Sequence, residues 1–400
     1  MSRIWTLRLG LVLLAAAFAS TAFGNAYAQQ PIKIGYLSSL SGPFTPWGIL
    51  VRDGMKLAVS EVNAAGGAAG RPLELVERDD RNNPSEAVTA LQYLIEREHV
   101  VAAGGIISSD VGLAVSREAE AQKVPLFLTM SGSDAILTKQ SRYTFRTCLP
   151  AAPMNMGYIA GLIQENKYTR VGAIIADYAW GHAIGDAIGA SVKSLPGVKL
   201  QVEVAPVSER DFTPYLRKLQ ELNPELLIAT GHPPGSVTIA RQAIELGMGG
   251  QTIGPWFPTE FTVERGGEAV FGRFIDYSCA AFGTPEYESL AAKFHSASNH
   301  VLDINGISGY AIVKILAQTI TEKKSTDPKV IADAVRAGRF VIPGYGWPIS
   351  YTEWGEMTEA APILYTYEKG SPPGGVNPGA NWRTKVVFRS KPVQPYVPAK

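Results

Sequence analysis

The sequence predicts an α/β protein of two lobes, each with a parallel β-sheet covered by helices on both faces. The chain has 400 residues, which is too long for one ordinary domain and suits about two. Apolar strand patterns alternate with helical patterns across short turns, which is typical of a parallel sheet. The alternation runs through residues 32–147 and starts again near residue 170, so each series predicts one lobe.

The first series starts with the apolar strand "IKIGYLSSL" and a helix over 48–63 whose apolar residues recur at helical spacing. After the strand "LELVERDD", the stretch "NNPSEA" predicts a helix start. Asn83 suits the cap, Pro84 the first helical position, and Glu86 completes a capping box. The series ends with strands at "VVAAGG" and "VPLFLT", a helix over 110–121 and a further helix from residue 134.

The second series predicts strands at 170–176 and 225–230, with "VKLQVEVA" between them, and helices over 181–194, 213–222 and 235–247. Three helices then follow without good strands between them, over 286–297, 304–322 and 328–337. Because these helices need a sheet to cover, we expect them to pack on the first lobe. The chain therefore crosses between the lobes more than once. The aromatic stretches "WPISYTEWG" and "APILYTYE" are strand-like, and residues 391–400 are expected to form a weakly ordered tail.

The N-terminus has the pattern of a secretory signal peptide. Arg3 and Arg8 precede an apolar run, and "AYA" at Ala26 to Ala28 fits a small-residue cleavage site. The apolar core is about 14 residues, short of the roughly 20 that span a membrane. We expect residues 1–28 to be removed after Ala28 and the mature protein to lie in the periplasm. A retained membrane anchor is the alternative.

Charge and motifs exclude several classes of function. The formal net charge is +1 and only 18% of residues are charged, so nothing predicts a nucleic-acid partner. The chain has no dinucleotide fingerprint, phosphate-binding P-loop, G-x-S-x-G elbow or zinc-binding histidine spacing. We therefore predict no enzymatic activity, no cofactor and no metal.

The ends of the predicted strands are the candidate binding edge, because ligands of parallel α/β sheets sit at the carboxyl ends of the strands. The segments "GGIISSD" and "TMSGSD" offer hydroxyl groups and backbone N–H groups at helix starts, which suits a carboxylate. Ser109 and Ser133 as simple helix caps are the alternative. His232 follows another strand end and is a further candidate for the cleft.

Three tryptophans lie at or just past strand ends: Trp47, Trp180 and Trp256. A buried tryptophan usually belongs to the core. Three of them at loop positions instead favour aromatic faces that close on a small apolar or planar ligand.

The mature chain resembles the type I periplasmic binding proteins, in particular the leucine/isoleucine/valine-binding family of ABC-transporter receptors. The resemblance covers residues 31–370 and includes "IKIGYLSSLSGPFTPWG", "YTFRTCLPAAP", "RVGAIIADYAWG" and "DFTPYLRKLQELNPELLIATG". Its most specific part is the run "NAAGGAAGRPLELVERDDRNNP".

The resemblance implies two Rossmann-like lobes joined by three hinge crossings, near residues 148, 280 and 340. The first lobe would comprise 29–147 and 281–340, and the second 148–280 and 341–390. Cys148 and Cys279 would then lie on adjacent hinge strands, which implies a disulfide between them. Two reduced, buried thiols are the alternative.

The resemblance also implies ligand-binding residues. The ligand carboxylate would be held by Ser109 and Ser133, with the Gly132 carbonyl beside them and Ser108 as a near neighbour. The aromatic wall would comprise Trp47 in the first lobe and Trp180, with Tyr178 in the same segment, in the second.

One departure from the family pattern bears on the ligand. Amino-acid receptors of the family hold the α-ammonium with an acidic residue in a "G-x-E-G" loop. Here the loop reads "GPWFPTEF", with Trp256 or Phe257 at that position and Glu260 three or four residues further on. An unpaired buried ammonium is costly. The ligand is therefore either an aromatic or aliphatic acid or, by family default, a branched-chain or other hydrophobic amino acid.

The predicted function is a monomeric periplasmic receptor that closes on a small carboxylate-bearing ligand like a clamshell and delivers it to an ABC permease. A ligand sensor that docks a membrane signalling receptor is the alternative, since its pocket would look the same.

Overall fold

The structure is a computed structural model that describes residues 30–230, 235–254, 257–371 and 381–399. Residues from Ile32 onward form one unit by their contacts. Within it, two separate sheets form the cores of two lobes, which confirms the predicted fold class. None of the helices in the described ranges is long and apolar enough to cross a membrane.

The first lobe contains a sheet of five parallel strands in the order β2-β1-β3-β4-β5. The strands are β1 (Ile32–Ser38), β2 (Leu73–Asp79), β3 (Ala102–Ile106), β4 (Leu126–Leu128) and β5 (Thr144–Arg146). Its early helices are α1 (Thr45–Ala64), α2 (Pro84–Glu96) and α3 (Ser109–Gln122). The α2 start is as predicted, with the Asn83 side chain accepting from the Ser85 and Glu86 N–H groups.

The second lobe contains a seven-stranded sheet in the order β14-β13-β10-β9-β8-β6-β7, in which β13 and β14 are antiparallel additions. The strands are β6 (Arg170–Ala176), β7 (Lys199–Ala205), β8 (Leu226–Thr230), β9 (Gln251–Ile253), β10 (Phe274–Ser278), β13 (Ile363–Glu368) and β14 (Arg383–Arg389). Its helices are α4 (Ala152–Asn166), α5 (Ala179–Lys193), α6 (Thr213–Gln220), α7 (Gly235–Glu245) and α8 (Thr259–Gly266).

Three late helices return to the first lobe, as the sequence predicted. They are α9 (Pro285–Ser298), α10 (Ile304–Lys323) and α11 (Pro328–Ala337), followed by the small antiparallel pair β11 (Arg339–Phe340) and β12 (Ile349–Ser350). Helix α10 packs on α1 at backbone contact: a Cβ atom added to Gly54 would lie 1.9 Å from the Gly306 carbonyl oxygen. These two helices can therefore approach only because glycine stands at the crossing.

The chain passes between the lobes after β5, after β10 and again between β12 and β13. The first two passages are joined by a disulfide between Cys148 and Cys279, whose Cα atoms are 5.5 Å apart. Cys148 has a φ angle of +83°, a conformation that side chains with a Cβ rarely adopt. The Tyr277 hydroxyl donates to the Cys148 carbonyl at 2.6 Å, so this strained backbone is held by both a covalent and a polar contact.

Several local predictions were wrong or incomplete. No helix starts at residue 134, where turns hold the chain and the Thr138 N–H bonds to the Ser141 hydroxyl. Helices α4 and α8 and strand β14 were not predicted. Residues 391–399 form neither helix nor strand, but hydrogen bonds join two of them to earlier parts of the chain. The Val393 N–H reaches the Ala360 carbonyl, and the Trp354 indole donates to the Tyr396 carbonyl.

The glycine crossing of α1 and α10 gives a test of the packing. The substitution Gly54→Ala should lower the free energy of unfolding by about 1–3 kcal/mol, because the new methyl group meets backbone atoms that cannot move aside. Denaturant titration followed by circular dichroism measures the change.

The matched control is Gly189→Ala in helix α5, where an added Cβ meets nothing within 4 Å. There the substitution should raise the free energy of unfolding by about 0.5–1 kcal/mol, since alanine is the better helix former. Equal effects at the two positions would contradict the close crossing.

Candidate functional site

Hydrogen bonds of serine and threonine side chains link the segments that follow the carboxyl ends of β3 and β4. The Ser133 N–H donates to the Ser109 hydroxyl oxygen at 3.1 Å. The Ser131 hydroxyl donates to the Ser108 carbonyl at 3.0 Å, and the Thr129 hydroxyl to the Ile106 carbonyl at 2.9 Å. All of these side chains are buried, so the two segments form one continuous polar edge.

Ser109 is not a helix cap. The cap position of α3 is Ser108, whose backbone is extended and whose side chain makes no capping bond. Ser109 is the first helical residue, and its hydroxyl meets the neighbouring segment. The alternative interpretation of Ser109 as an ordinary cap is therefore wrong, and this helix start combines backbone N–H groups with two buried hydroxyls.

Trp180 of the second lobe contacts this polar edge. It lies in the first turn of α5, it is buried, and its indole N–H donates to the Thr230 hydroxyl at 2.9 Å. Its six-membered ring lies against Gly132, since a Cβ added there would fall 2.1 Å from Trp180 Cζ3. Glycine at 132 is thus what lets the indole reach the backbone between Ser131 and Ser133.

A second group of aromatic rings joins the lobes beside Trp180. The Trp47 ring of the first lobe meets Phe257 of the second edge-on, with ring centroids 5.1 Å apart. Phe44 lies 5.5 Å from Trp47 and 6.5 Å from the Tyr178 ring. Phe44 was missed by the sequence analysis, although it stands in the same "SGPFTPW" stretch as Trp47. Such rings offer a large apolar surface to a planar or branched ligand.

Tyr178 keeps its hydroxyl proton in this setting. Desolvation raises the pKa of Tyr178 far above its ordinary value, and the nearby carboxylate of Asp110 raises it further. The hydroxyl is therefore a neutral hydrogen-bond donor at the rim of the contact between the lobes.

Glu260 is the acidic residue nearest in sequence to the expected ammonium position, but its carboxylate pairs with other residues. Its carboxylate accepts from the Val301 N–H at 3.0 Å and lies 3.4 Å from His300 Nδ1, so it pairs with the first lobe. Burial raises the pKa of Glu260, but the nearby imidazole of His300 and the hydrogen bond from Val301 outweigh it and lower the pKa overall. The nearby carboxylate of Glu260 raises the pKa of His300.

Asp303 forms a further polar contact between the lobes. Its carboxylate caps α10 by accepting from the Asn305 and Gly306 N–H groups, and it also accepts from the Thr259 N–H at the start of α8. The Asn305 side-chain amide donates to the same carboxylate, while its Oδ1 atom is buried without a partner. Burial raises the pKa of Asp303 to about 6.

The predicted site residues fall into two groups. Those that the structure brings to the contact between the lobes are Ser108, Ser109, Gly132, Ser133, Trp47, Tyr178, Trp180 and Phe257. His232 and Trp256 lie outside the described residues.

Two α/β lobes thus meet where a polar edge of the first lobe lies against aromatic rings that come from both lobes. The chain belongs to the family of periplasmic binding proteins, whose sequence profile matches residues 31–370. The resemblance to this family is thereby confirmed.

A relative matches over nearly the whole chain, and solved structures share the fold. The chain is 25% identical over 362 residues to the Leu/Ile/Val-binding protein BraC3 of Rhizobium johnstonii, covering 90% of this chain and 97% of the relative. Its fold is similar to that of a solute-binding protein of an ABC transporter from R. palustris in complex with benzoate (TM-score 0.78, 18% identity, 92% and 99% covered). It is also similar to the branched-chain amino acid substrate-binding protein LivJ of Streptococcus pneumoniae in complex with isoleucine (TM-score 0.75, 21% identity, 92% and 100% covered).

The contact of Trp180 with Gly132 predicts the effect of a single methyl group. The substitution Gly132→Ala should hold the lobes apart and weaken ligand binding about tenfold or more, because the Cβ atom would overlap the indole ring. Small-angle X-ray scattering should show a larger radius of gyration for the variant than for the wild-type protein.

Removing the indole ring with Trp180→Ala provides the control. The double variant Gly132→Ala/Trp180→Ala removes the overlap and should return the radius of gyration to that of the single variant Trp180→Ala. If Gly132→Ala left both the scattering curve and binding unchanged, the contact would not exist in solution.

The pair of His300 and Glu260 predicts a pH-dependent term in stability. Because the folded pKa of His300 is raised, the stability that its charged form contributes is fully present below its ordinary value of about 6.5. That contribution is lost as the pH rises through the raised pKa.

Free energies of unfolding for the wild-type protein and His300→Gln should therefore differ by about 0.5–1 kcal/mol at about pH 6. The difference should shrink towards zero at alkaline pH. His99→Gln, which changes an exposed histidine outside the described ion pairs, is the control. A difference that grows with pH would contradict the assigned pair.

Proposed function

We propose that the protein is the periplasmic receptor of an ABC importer and that it binds a small carboxylic acid between its lobes. It is proposed to reach the periplasm by cleavage after Ala28 and to act without enzymatic turnover. The observation that carries the proposal is the meeting of the Ser109–Ser133 edge with Trp180 at Gly132. The first lobe supplies hydrogen-bond donors for an anion, and aromatic rings of both lobes supply an apolar cover.

The carboxylate is assigned to the first lobe on chemical grounds. Hydroxyl groups and the backbone N–H groups at the start of α3 are neutral donors, and a helix start favours negative charge. Bonds from such donors to a charged acceptor are stronger than neutral ones. Ser108, Ser109 and Ser133 are buried there, so water competes poorly for the same acceptor.

The body of the ligand is assigned to the aromatic rings. Trp47, Phe257 and Trp180 are buried, and they come from both lobes. A ligand that touches rings of both lobes favours the closed arrangement, because the open one lacks half of those contacts.

The acidic residues of the described chain support an acid rather than an amino acid. Glu260 accepts from the Val301 N–H and lies beside His300, and Asp303 already accepts four hydrogen bonds. Asp110 is exposed at the rim. An α-ammonium placed among the rings could pair with Glu260 or Asp303 only by breaking these bonds, which is costly. The R. palustris protein in complex with benzoate is a precedent for such a ligand on this fold.

A matched pair of ligands tests the assignment. The compounds 4-methylpentanoate and L-leucine share an isobutyl body and differ by the ammonium, while benzamide differs from benzoate by the charge. We expect the two acids to raise the unfolding temperature, and leucine and benzamide to leave it unchanged. A shift with leucine alone would make the protein an amino-acid receptor.

Serine substitutions locate the carboxylate. Ser109→Ala should weaken acid binding by about 1.5–3 kcal/mol in calorimetry, the usual contribution of a hydrogen bond to a charged group. Ser116→Ala, a buried serine two turns along the same helix, is the control and should bind as the wild type does. Equal affinities for both variants would place the carboxylate elsewhere.

Transport is tested in the cell. Deletion of the gene should abolish uptake of the radiolabelled acid that binds best, and the Ser109→Ala protein should restore it only in part. Undiminished uptake after deletion would favour a sensing role.

A further inference from the structure

Arg146 is fully buried at the end of β5, immediately before the chain leaves the first lobe. Its guanidinium donates from Nη1 to the Ser131 carbonyl and from Nη2 to the Ser133 carbonyl, the latter at 2.7 Å. Its Nε atom donates to Glu356 Oε2 at 3.0 Å. One side chain thus holds the two carbonyls on either side of Gly132 and a carboxylate 210 residues further along the chain.

The carbonyl between these two is held by the other lobe. The Gly132 oxygen accepts from the N–H of Ala152, the first residue of α4, at 2.9 Å. All three carbonyls of the segment Ser131–Ser133 are therefore fixed, two by Arg146 and one by the second lobe. Because each carbonyl sets the plane of its peptide group, this also aims the Ser133 N–H at the Ser109 hydroxyl.

Glu356 ties the same arginine to the passages between the lobes. Its Oε2 atom also accepts from the Ala151 N–H at 3.3 Å, just before α4, and its Oε1 atom accepts from the Met357 N–H. The neighbouring Gly355 carbonyl accepts from the Arg146 N–H at 3.0 Å. The pair therefore lies where the last strand of the first lobe, the start of the second lobe and the third passage meet.

We propose that Arg146 and Glu356 couple the relative position of the lobes to the shape of the Ser131–Ser133 segment, with Arg146 as a positioning residue for ligand binding. The inference rests on the proposed function, since it names the group that shapes the same site. A shift of Ala151 and Ala152 moves both Glu356 and the Gly132 carbonyl, and Arg146 transmits it to Ser133. By linkage, a ligand that fixes Ser133 favours one position of the lobes.

The chemistry of the guanidinium explains why an arginine stands here. Its planar fork can satisfy two carbonyls and a carboxylate at once, which an ammonium group cannot do in the same geometry. An apolar pair of similar volume would fill the space equally well. Such a pair would leave the Ser131 and Ser133 carbonyls without their donors, so it removes the positioning contacts without leaving a buried charge unpaired.

The decisive variant is Arg146→Met/Glu356→Leu, which removes both charges together. Removing both charges leaves no buried charge unpaired, so we expect the variant to fold, with an unfolding temperature lowered by the buried carbonyls that lose their donors. Amide hydrogen exchange in the segment 129–137 should become about tenfold faster. Affinity for 4-methylpentanoate and benzoate should fall about tenfold or more.

The control carries the same two substitutions on an exposed pair. In Arg339→Met/Glu359→Leu, exchange in 129–137 and the affinities should stay as in the wild type, because that pair lies on the surface. Wild-type exchange and affinity in Arg146→Met/Glu356→Leu would reduce Arg146 to a structural residue and overturn the proposal. So would faster exchange without any loss of affinity.

A further variant and the binding behaviour of the wild-type protein complete the test. Arg146→Lys retains the charge opposite Glu356, so it serves if the double variant does not fold. It should show the faster exchange and weaker binding, and wild-type values would again overturn the proposal. If the wild-type protein binds neither acid, the proposed ligand class fails. The exchange of residues 129–137 in the unliganded variants then still decides whether Arg146 positions the segment.

Discussion

The backbone of Ser131, Gly132 and Ser133 is fixed through all three of its carbonyl oxygens, and both halves of the site depend on this. The guanidinium of Arg146 and the first N–H of α4 hold the carbonyls. The Ser133 N–H can then meet the Ser109 hydroxyl, and the bare face of Gly132 meets the Trp180 ring. A polar edge for an anion and an apolar cover thus share one short segment, which is fastened to both lobes.

Much of the fold and part of this edge could be predicted from the sequence. Strand and helix periodicity located β6 at Arg170–Ala176 and the three late helices, because buried parallel strands and amphipathic helices leave strong patterns. Ser109 and Ser133 could be found because parallel strands end at one edge of a sheet, and their segments "GGIISSD" and "TMSGSD" end two neighbouring strands. The glycine at 132 could be named from the family pattern, but its contact with Trp180 could not.

What the sequence did not reveal depends on distant pairing. Arg146 and Glu356 are 210 residues apart, and neither stands in a local motif that marks a buried ion pair. Helix α8 was missed, and Glu260 within it was named only as the acidic residue a few positions beyond the expected ammonium-binding position. Its actual partners, His300 and Val301, come from the first lobe, which no local pattern indicates. The helix predicted from residue 134 was wrong for a local reason. Its helical pattern is weak, and the hydrogen bond between Thr138 and Ser141 holds a turn there instead.

A structure of the protein with a bound acid tests the central claim most directly. Crystals grown with whichever acid, benzoate or 4-methylpentanoate, raises the unfolding temperature more should show its carboxylate within hydrogen-bond distance of Ser109 and Ser133. The body of the acid should lie among Trp47, Trp180 and Phe257. A carboxylate bound to the second lobe, away from Ser109 and Ser133, would contradict the account.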